Sequence, residues 1–243
     1  MAEKNIPSSR QLLISFSGID GAGKSTQIDL LQERLLQAGL RVTYLRFWDD
    51  VAALTSLRES AGHRVFKGEK GIGSPDAPVN RRDKNIRSPF MTLIRLGMYL
   101  LDAVSLRLKL SRTRSQDADI ILCDRYIYDE IANLNLHHWW VRIYVKFLLL
   151  LAPAPDISFV IDADPSAARA RKPEYPLDFL LENRSAYLHV SQLGGHFFVT
   201  PPASIEVVHA AICERVSQLW RAAAGGAQRL RLDPTHQSSE QNP

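Results

Sequence analysis

The sequence predicts an α/β protein in three layers, a five-stranded parallel sheet with helices on both faces. Two observations carry this. Five short, mostly apolar runs recur along the chain, at residues 12–16 (LLISF), 42–45 (VTYL), 120–123 (IILC), 157–161 (ISFVI) and 196–199 (HFFV). Runs of this length without polar alternation suit strands buried on both faces. Between them lie segments whose apolar residues follow helical spacing, and strands that alternate with helices build a parallel sheet. Right-handed crossovers then bring every strand's carboxyl end to one edge, where ligands bind.

Each element has its own signature. After the first run, residues 25–38 place Ile28, Leu31, Leu35 and Leu36 on one helical face, and Gly39 is a stop signal. A short helix is expected over residues 51–60. Residues 61–88 hold four glycines, two prolines and many charges, and read as an insertion or mobile loop, too long for an ordinary connection. A long helix from Pro89 to about Arg112 shows Leu93, Leu96, Leu100 and Val104 on one face. Helices are expected over 127–136 and 138–152. Pro165 opens another at its first turn, where proline is tolerated, and KPEYP at 172–176 breaks it. Helical spacing resumes over 177–192. Ser204 is the expected N-cap of a last helix reaching Trp220, and residues 229–232 an edge strand. The whole reads as one domain over residues 11–232, with a lid region at 165–185, a flexible stretch over 1–10 and a disordered polar tail over 233–243.

Composition narrows the function classes. The 243 residues suit a single domain. With 45% hydrophobic and 23% charged residues, the chain is too apolar to be disordered. Its two cysteines, Cys123 and Cys213, exclude a disulfide framework, and neither lies in a CxxC pair, which excludes a structural zinc site. A reducing cytoplasm is the expected compartment, since the opening MAEKNIPSSR lacks the apolar core of a signal peptide. The most apolar run, residues 141–152, is too short to span a bilayer and carries Arg142 and Lys146. No membrane span is expected. The net charge of +4 is spread along the chain without a finger, RNP or basic-zipper pattern, so no polynucleotide partner is expected. Arginines in such numbers also suit an enzyme that handles phosphate.

The strongest local signal is Gly18-Ile-Asp-Gly-Ala-Gly-Lys-Ser25, a GxxxxGK[ST] match between an apolar strand and an amphipathic helix. Gly18, Gly21 and Gly23, with Asp20 and Ala22 between them, let the backbone curl so that successive N–H groups converge on one anion. The following helix adds partial positive charge at the same point. Lys24 can reach the β- and γ-phosphates of a nucleoside triphosphate, and the Ser25 hydroxyl is a hard oxygen ligand suited to Mg²⁺. Thr26 completes the first turn. A nucleoside triphosphate and Mg²⁺ are therefore the expected ligands of this loop. No NKxD guanine motif is present. A second signal is ADIILCDRY, residues 118–126, an apolar strand ending in Asp124-Arg125. An acid at that place can hold a water of the Mg²⁺ shell or take a proton from an attacking oxygen. The guanidinium beside it offers a fork for an acceptor phosphate.

Together, GIDGAGKSTQ, DRY, IDADP followed by arginines, and RSAY at 184–187 resemble the thymidylate kinase family, P-loop nucleoside monophosphate kinases, over most of residues 11–220. The resemblance implies a P-loop NTPase fold and in-line transfer of the γ-phosphoryl group of Mg·ATP to a small-molecule monophosphate, in nucleotide biosynthesis. It implies that Asp20 contacts the acceptor sugar, that Asp124 serves the metal, and that Arg125 and Arg46 face the acceptor phosphate. It implies charge-stabilising arginines from the lid, here Arg169 and Arg171. It places Thr200-Pro201-Pro202-Ala203 against the adenine, and it implies a homodimer. The chain departs from the family pattern in four places. Ser17 stands where a glutamate is usual, Phe47-Trp48-Asp49-Asp50 replaces E-P-G-G, Leu101-Asp102-Ala103 lacks the base-reading arginine, and Leu134 replaces a glutamine. A site keeps its discrimination only while its hydrogen-bonding groups exist. The acceptor therefore stays open between dTMP and another molecule such as a sugar or sugar phosphate. A nucleotide-binding module without turnover is the remaining alternative.

Overall fold

The structure, a computed structural model, describes residues 11–52, 89–114 and 117–223. The expected flexible start, most of the short helix over 51–60, the insertion at 61–88, the edge strand at 229–232 and the polar tail lie outside the described residues. The five expected strands form one parallel sheet. They are β1 (Leu12–Ser17), β2 (Val42–Arg46), β3 (Ile120–Asp124), β4 (Ile157–Ile161) and β5 (Phe197–Thr200), in the order β2-β3-β1-β4-β5. Seven α-helices accompany them among the described residues: α1 (Lys24–Gln37), α2 (Pro89–Arg114), α3 (Ile127–Ile131), α4 (Trp139–Leu151), α5 (Pro165–Arg171), α6 (Leu177–Val190) and α7 (Ile205–Ala223).

Strand pleating sends alternate residues of each central strand to opposite faces. Leu12, Ile14 and Phe16 of β1 join Ile120, Leu122 and Phe159 on one face. There they pack against Ile28, Leu31 and Leu35 of α1 and Ile212, Val216 and Trp220 of α7. Leu13 of β1 joins Ile121 and Cys123 on the other face, against Ala103, Leu106 and Leu110 of α2 and Val141, Val145 and Leu148 of α4. Polar residues that fall inside the sheet are paired: the Ser15 hydroxyl donates to Ser158 Oγ at 2.9 Å across the β1–β4 register. Cys123 lies in this core, where burial and then the nearby Asp124 push its thiol up to about 12. It is a packing residue rather than a nucleophile.

Two helices differ from expectation. The helix expected over 127–136 ends at Ile131. Asparagines explain the stop, because their side chains compete for backbone groups. Asn133 Nδ2 donates to the carbonyl of Asp129 at 2.9 Å, and Asn135 Oδ1 accepts from the N–H of His137 at 3.1 Å. After β2 the chain makes a single wide π-helical turn, Phe47–Val51, closed by the Ala52 N–H donating to the carbonyl of Phe47 at 2.7 Å. Asp50 Oδ2 secures the start of that turn by accepting from the N–H of Arg46 at 2.8 Å. Phe47 is thereby turned into the core.

A third apolar cluster ties the lid to the sheet. Ile19, Val160, Ala168 of α5, Tyr175, and Leu180 and Tyr187 of α6 pack together. The Asp164 side chain accepts from the N–H of Ala167 at 2.9 Å and Pro165 fills the first helical position, which together start α5.

Candidate active site at the carboxyl edge of the sheet

The central strand β1 delivers the glycine loop, and the loop's shape comes from its glycines. Gly18, Gly21 and Gly23 have φ of 141°, 80° and 94°. A Cβ on Gly18 would come within 2.6 Å of the carbonyl oxygen of Ile161 at the end of β4. A Cβ on Gly21 would collide with the backbone of Ala168 in α5. Glycine is required at both places by strain and by close approach. Gly23 precedes α1 in the left-handed region and no side chain caps that helix, so its first N–H groups are left to serve an anion.

Lys24 lies under the loop with its side chain almost entirely buried. Its Nζ donates to the carbonyls of Gly18 and Ile19 at 2.9 and 2.8 Å and stands 4.0 Å from Asp20. Burial, then repulsion from Arg125, lowers its pKa from 10.5 to about 8, against the partial relief of the acids around it.

β3 is the neighbour of β1, and their register sets Asp124 beside Phe16, two residues short of the loop. Tyr44 on β2 donates its hydroxyl to Asp124 Oδ2 at 3.0 Å. Burial, then Asp124, pushes that phenol up to about 12, so it remains a donor. Arg125 follows with φ of 66°, the one non-glycine residue at positive φ among the described residues. Its N–H still donates to the carbonyl of Phe16 at 2.9 Å, which fixes this costly conformation at the strand end.

The Arg125 guanidinium is held between two carboxylates. Nη2 bonds Asp20 of the loop, and Nη1 donates to Asp129 Oδ1 at 2.8 Å. Burial works against its charge, but Asp129, Tyr187 and Asp20 outweigh it and hold the group well above its ordinary range. Asp129, in α3, accepts three further bonds. The Tyr187 hydroxyl reaches Oδ1 at 2.8 Å, and the Ser17 hydroxyl and the Tyr126 N–H reach Oδ2 at 2.7 and 3.1 Å.

Asp20, Lys24, Asp124 and Arg125 border a cavity of about 630 Å³. Its wall is drawn from the carboxyl ends of four strands. It comprises the loop from Asp20 to Thr26, Asp124 and Arg125, residues 161–164, Arg171 and Lys172 of the lid, and Pro202 with Ala203 after β5. Arg171 Nε donates to the carbonyl of Gly21 at 2.9 Å, so the lid rests on the loop. Asp162, on the wall, is gripped by Arg184 of α6 through two bonds of 2.6 and 2.7 Å.

Most of the predicted site residues therefore share one cavity: Asp20, Gly21, Ala22, Gly23, Lys24, Ser25, Thr26, Asp124, Arg125 and Arg171. Gly18 does not border it, but its carbonyl accepts from Lys24 Nζ at 2.9 Å. Three others are placed elsewhere. Arg169 points away from the loop and donates to the carbonyl of Tyr175 at 3.3 Å. Pro201 is not on the wall; the next two residues are. Arg46 is exposed beside Asp49 at 3.8 Å, its guanidinium 5.5 Å from the Tyr44 ring, in β-register with Asp124. Asp102 and Ala103 of α2 are fully buried, and Leu134 packs on the core. The sequence reading missed Asp129 and Asp162.

The residues present fit Mg²⁺. Ser25 and Asp124 supply hard oxygens on the same cavity wall. Among the described residues no cluster of three His, Cys, Asp or Glu could hold a metal by itself. That pattern suits an ion carried largely by phosphate and water, with one or two protein oxygens.

No protein-family model matches the sequence. Individual proteins do. A probable thymidylate kinase from Pyrobaculum aerophilum is 28% identical over 216 residues, which is 86% of this chain and 97% of that protein. A thymidylate kinase from Thermosipho melanesiensis is 29% identical over 199 residues, 77% of this chain and 88% of its own. The crystal structure of thymidylate kinase from Ehrlichia chaffeensis superposes with a TM-score of 0.53 at 23% identity, covering 85% of this chain and 98% of that one. The glycine loop, the Asp124-Arg125 turn and similarity that runs through most of the chain make the thymidylate kinases the proteins that this chain resembles.

Proposed function

We propose that the protein transfers the γ-phosphoryl group of Mg·ATP to dTMP, giving dTDP and ADP, as an enzyme of nucleotide biosynthesis. The single observation that carries this is the shared cavity: the glycine loop and Lys24 border it from β1, and Arg125 borders it from β3. The curated relatives are named for dTMP phosphorylation, and nothing favours a sugar acceptor or a module without turnover.

The residues divide the work as follows. The loop N–H groups and the start of α1 hold the triphosphate. Lys24 supplies a positive charge to the β- and γ-phosphates, and Arg171, already resting on the loop, adds charge to the migrating group. Arg169, engaged with Tyr175, supports the lid instead. Residues 202–203 border the adenine through backbone, one step beyond Pro201. Ser25 and Asp124 would hold Mg²⁺, which would supply positive charge against the phosphate oxygens during transfer. Asp20 turns toward the acceptor sugar, Arg125 holds the acceptor phosphate, and Arg46 approaches it from β2. An acceptor phosphate dianion attacks without losing a proton. Asp124 therefore need not act as a base, and metal binding is its role.

The same reading includes a homodimer in the cytoplasm. Trp139, Ile143, Phe147 and Leu150 form an exposed apolar stripe along α4, and Leu101, Val104 and Leu108 form another on α2, which packs against it. No helix among the described residues is long and apolar enough to cross a membrane, so a second copy is the natural cover for this surface.

The test is ADP release measured over a panel of nucleoside monophosphates, sugars and sugar phosphates. Turnover with dTMP in the range of kinases, about 1–100 s⁻¹, is expected. Saturable ATP binding with no acceptor-dependent release, or release with a sugar alone, would contradict the proposal.

A further inference from the structure

Arg125 reaches the cavity from a turn that is sterically unfavourable for a side-chain-bearing residue, so its guanidinium needs support from elsewhere. Its two carboxylate partners differ. The Asp20 side chain lines the cavity and is 25% exposed; that of Asp129 is 2% exposed and lies behind the guanidinium. Asp20 can turn to a ligand, and Asp129 cannot. Asp129 also spends both oxygens. Oδ1 takes Arg125 Nη1 and the Tyr187 hydroxyl, and Oδ2 takes the Ser17 hydroxyl and the Tyr126 N–H. Those donors come from β1, from the turn after β3, and from α6 of the lid region. A buried carboxylate with four donors has one orientation.

We propose that Asp129 is the positioning residue of the acceptor side: it fixes the Arg125 fork in place and couples that fork to β1 and to α6, while Asp20 faces the acceptor from the cavity wall. This rests on the reading of Arg125 as the acceptor-phosphate ligand. The placement of the guanidinium by Asp129 stands apart from that reading. A corollary concerns where the charge comes from. Ser17 Oγ is 2.7 Å from Asp129 Oδ2, so a glutamate at 17 would bring a carboxylate into the space that the Asp129 side chain leaves when shortened to serine. What matters is the negative charge behind Arg125, and either strand β1 or helix α3 can deliver it.

The test compares wild type, Asp129→Ser and the pair Ser17→Glu/Asp129→Ser by two readouts. The first is steady-state kinetics with dTMP and ATP varied separately. The second is NMR of the ¹⁵N-labelled arginine guanidinium groups, in which hindered rotation marks a guanidinium held by bidentate partners. Asp129→Ser should raise KM for dTMP by about 100-fold, the scale of a misplacement of ~1 Å, with KM for ATP little changed. It should also lose the hindered Arg125 signal. The pair should regain both. If Asp129→Ser does not fold, the pair compared with wild type carries the test. An unchanged KM for dTMP and an unchanged Arg125 signal in Asp129→Ser would overturn the proposal. So would a pair that fails to recover, through misfolding or otherwise. Wild-type protein without dTMP turnover, but with an Arg125 signal that depends on Asp129, would sink the functional reading and leave this placement standing.

Discussion

Two cations, the buried Lys24 and the half-buried Arg125, border the same cavity, and the fold treats them in opposite ways. Arg125 sits between two carboxylates and a phenol, and its charge is stabilised in the protein as folded. Lys24 has two carbonyls and an acid at 4.0 Å, and burial lowers its pKa to about 8. The donor side therefore holds a charge whose best partner is a polyphosphate, while the acceptor side is balanced before any ligand arrives. The donor side is built from main chain; the acceptor side is built from side chains contributed by several elements.

This contrast can be broken by substitution. The largest effect on stability is expected from Arg125→Met. Removing the cation deprives Asp20 and the buried Asp129 of the countercharge they share. Loss of one partner from a buried pair costs about 3–5 kcal/mol, so chemical denaturation should show a clear fall. A change near zero would mean that the carboxylates are served by water instead. Next, Arg171→Ala and Arg169→Ala should separate. Loss of Arg171 should lower kcat by about 10²–10³-fold, as for a lost charge-stabilising donor, and loss of Arg169 should act on lid stability with little effect on kcat. Equal losses would undo the distinction drawn from their opposite orientations.

Lys24→Met should behave opposite to Arg125→Met and stabilise the ligand-free protein at neutral pH, by at most about 3 kcal/mol on the scale of 1.36 kcal/mol per pKa unit. The sign follows from linkage. The pKa of Lys24 is lower in the folded protein than in the unfolded chain, so below about 8 both states carry the proton and the full penalty applies. Between about 8 and 10.5 the folded state releases the proton first, and wild-type stability rises relative to the variant. Thermal melts of both proteins across this pH range should converge. A gap that widens with pH would show that Lys24 is stabilised by its surroundings.

The same contrast explains what could be read from sequence. The glycine loop was legible because its parts are contiguous, and a strand, a turn and a helix start suffice to aim N–H groups at one point. Asp124 and Arg125 were legible because they end an apolar strand. Asp129 was not. It looked like an ordinary acid in the first turn of a helix, and its partners Ser17 and Tyr187 lie 112 and 58 residues away. The lid arginines were found as a pair, although residues two apart on a helix do not share a face. That spacing alone implies that one of Arg169 and Arg171 meets the loop and the other does not. The early end of α3 was carried by Asn133, whose side chain takes a backbone carbonyl. Pro201 missed the wall by one residue because no pattern marks where a strand's exit loop turns.

The most direct measurement of the central claim follows ³²P from [γ-³²P]ATP in the presence of dTMP, with wild-type protein and with Lys24→Ala. The account predicts label in dTDP with wild type and a fall in the rate of transfer of at least about 10²–10³-fold in the variant. Label that remains in ATP with wild type, or a variant that transfers as fast as wild type, would contradict it.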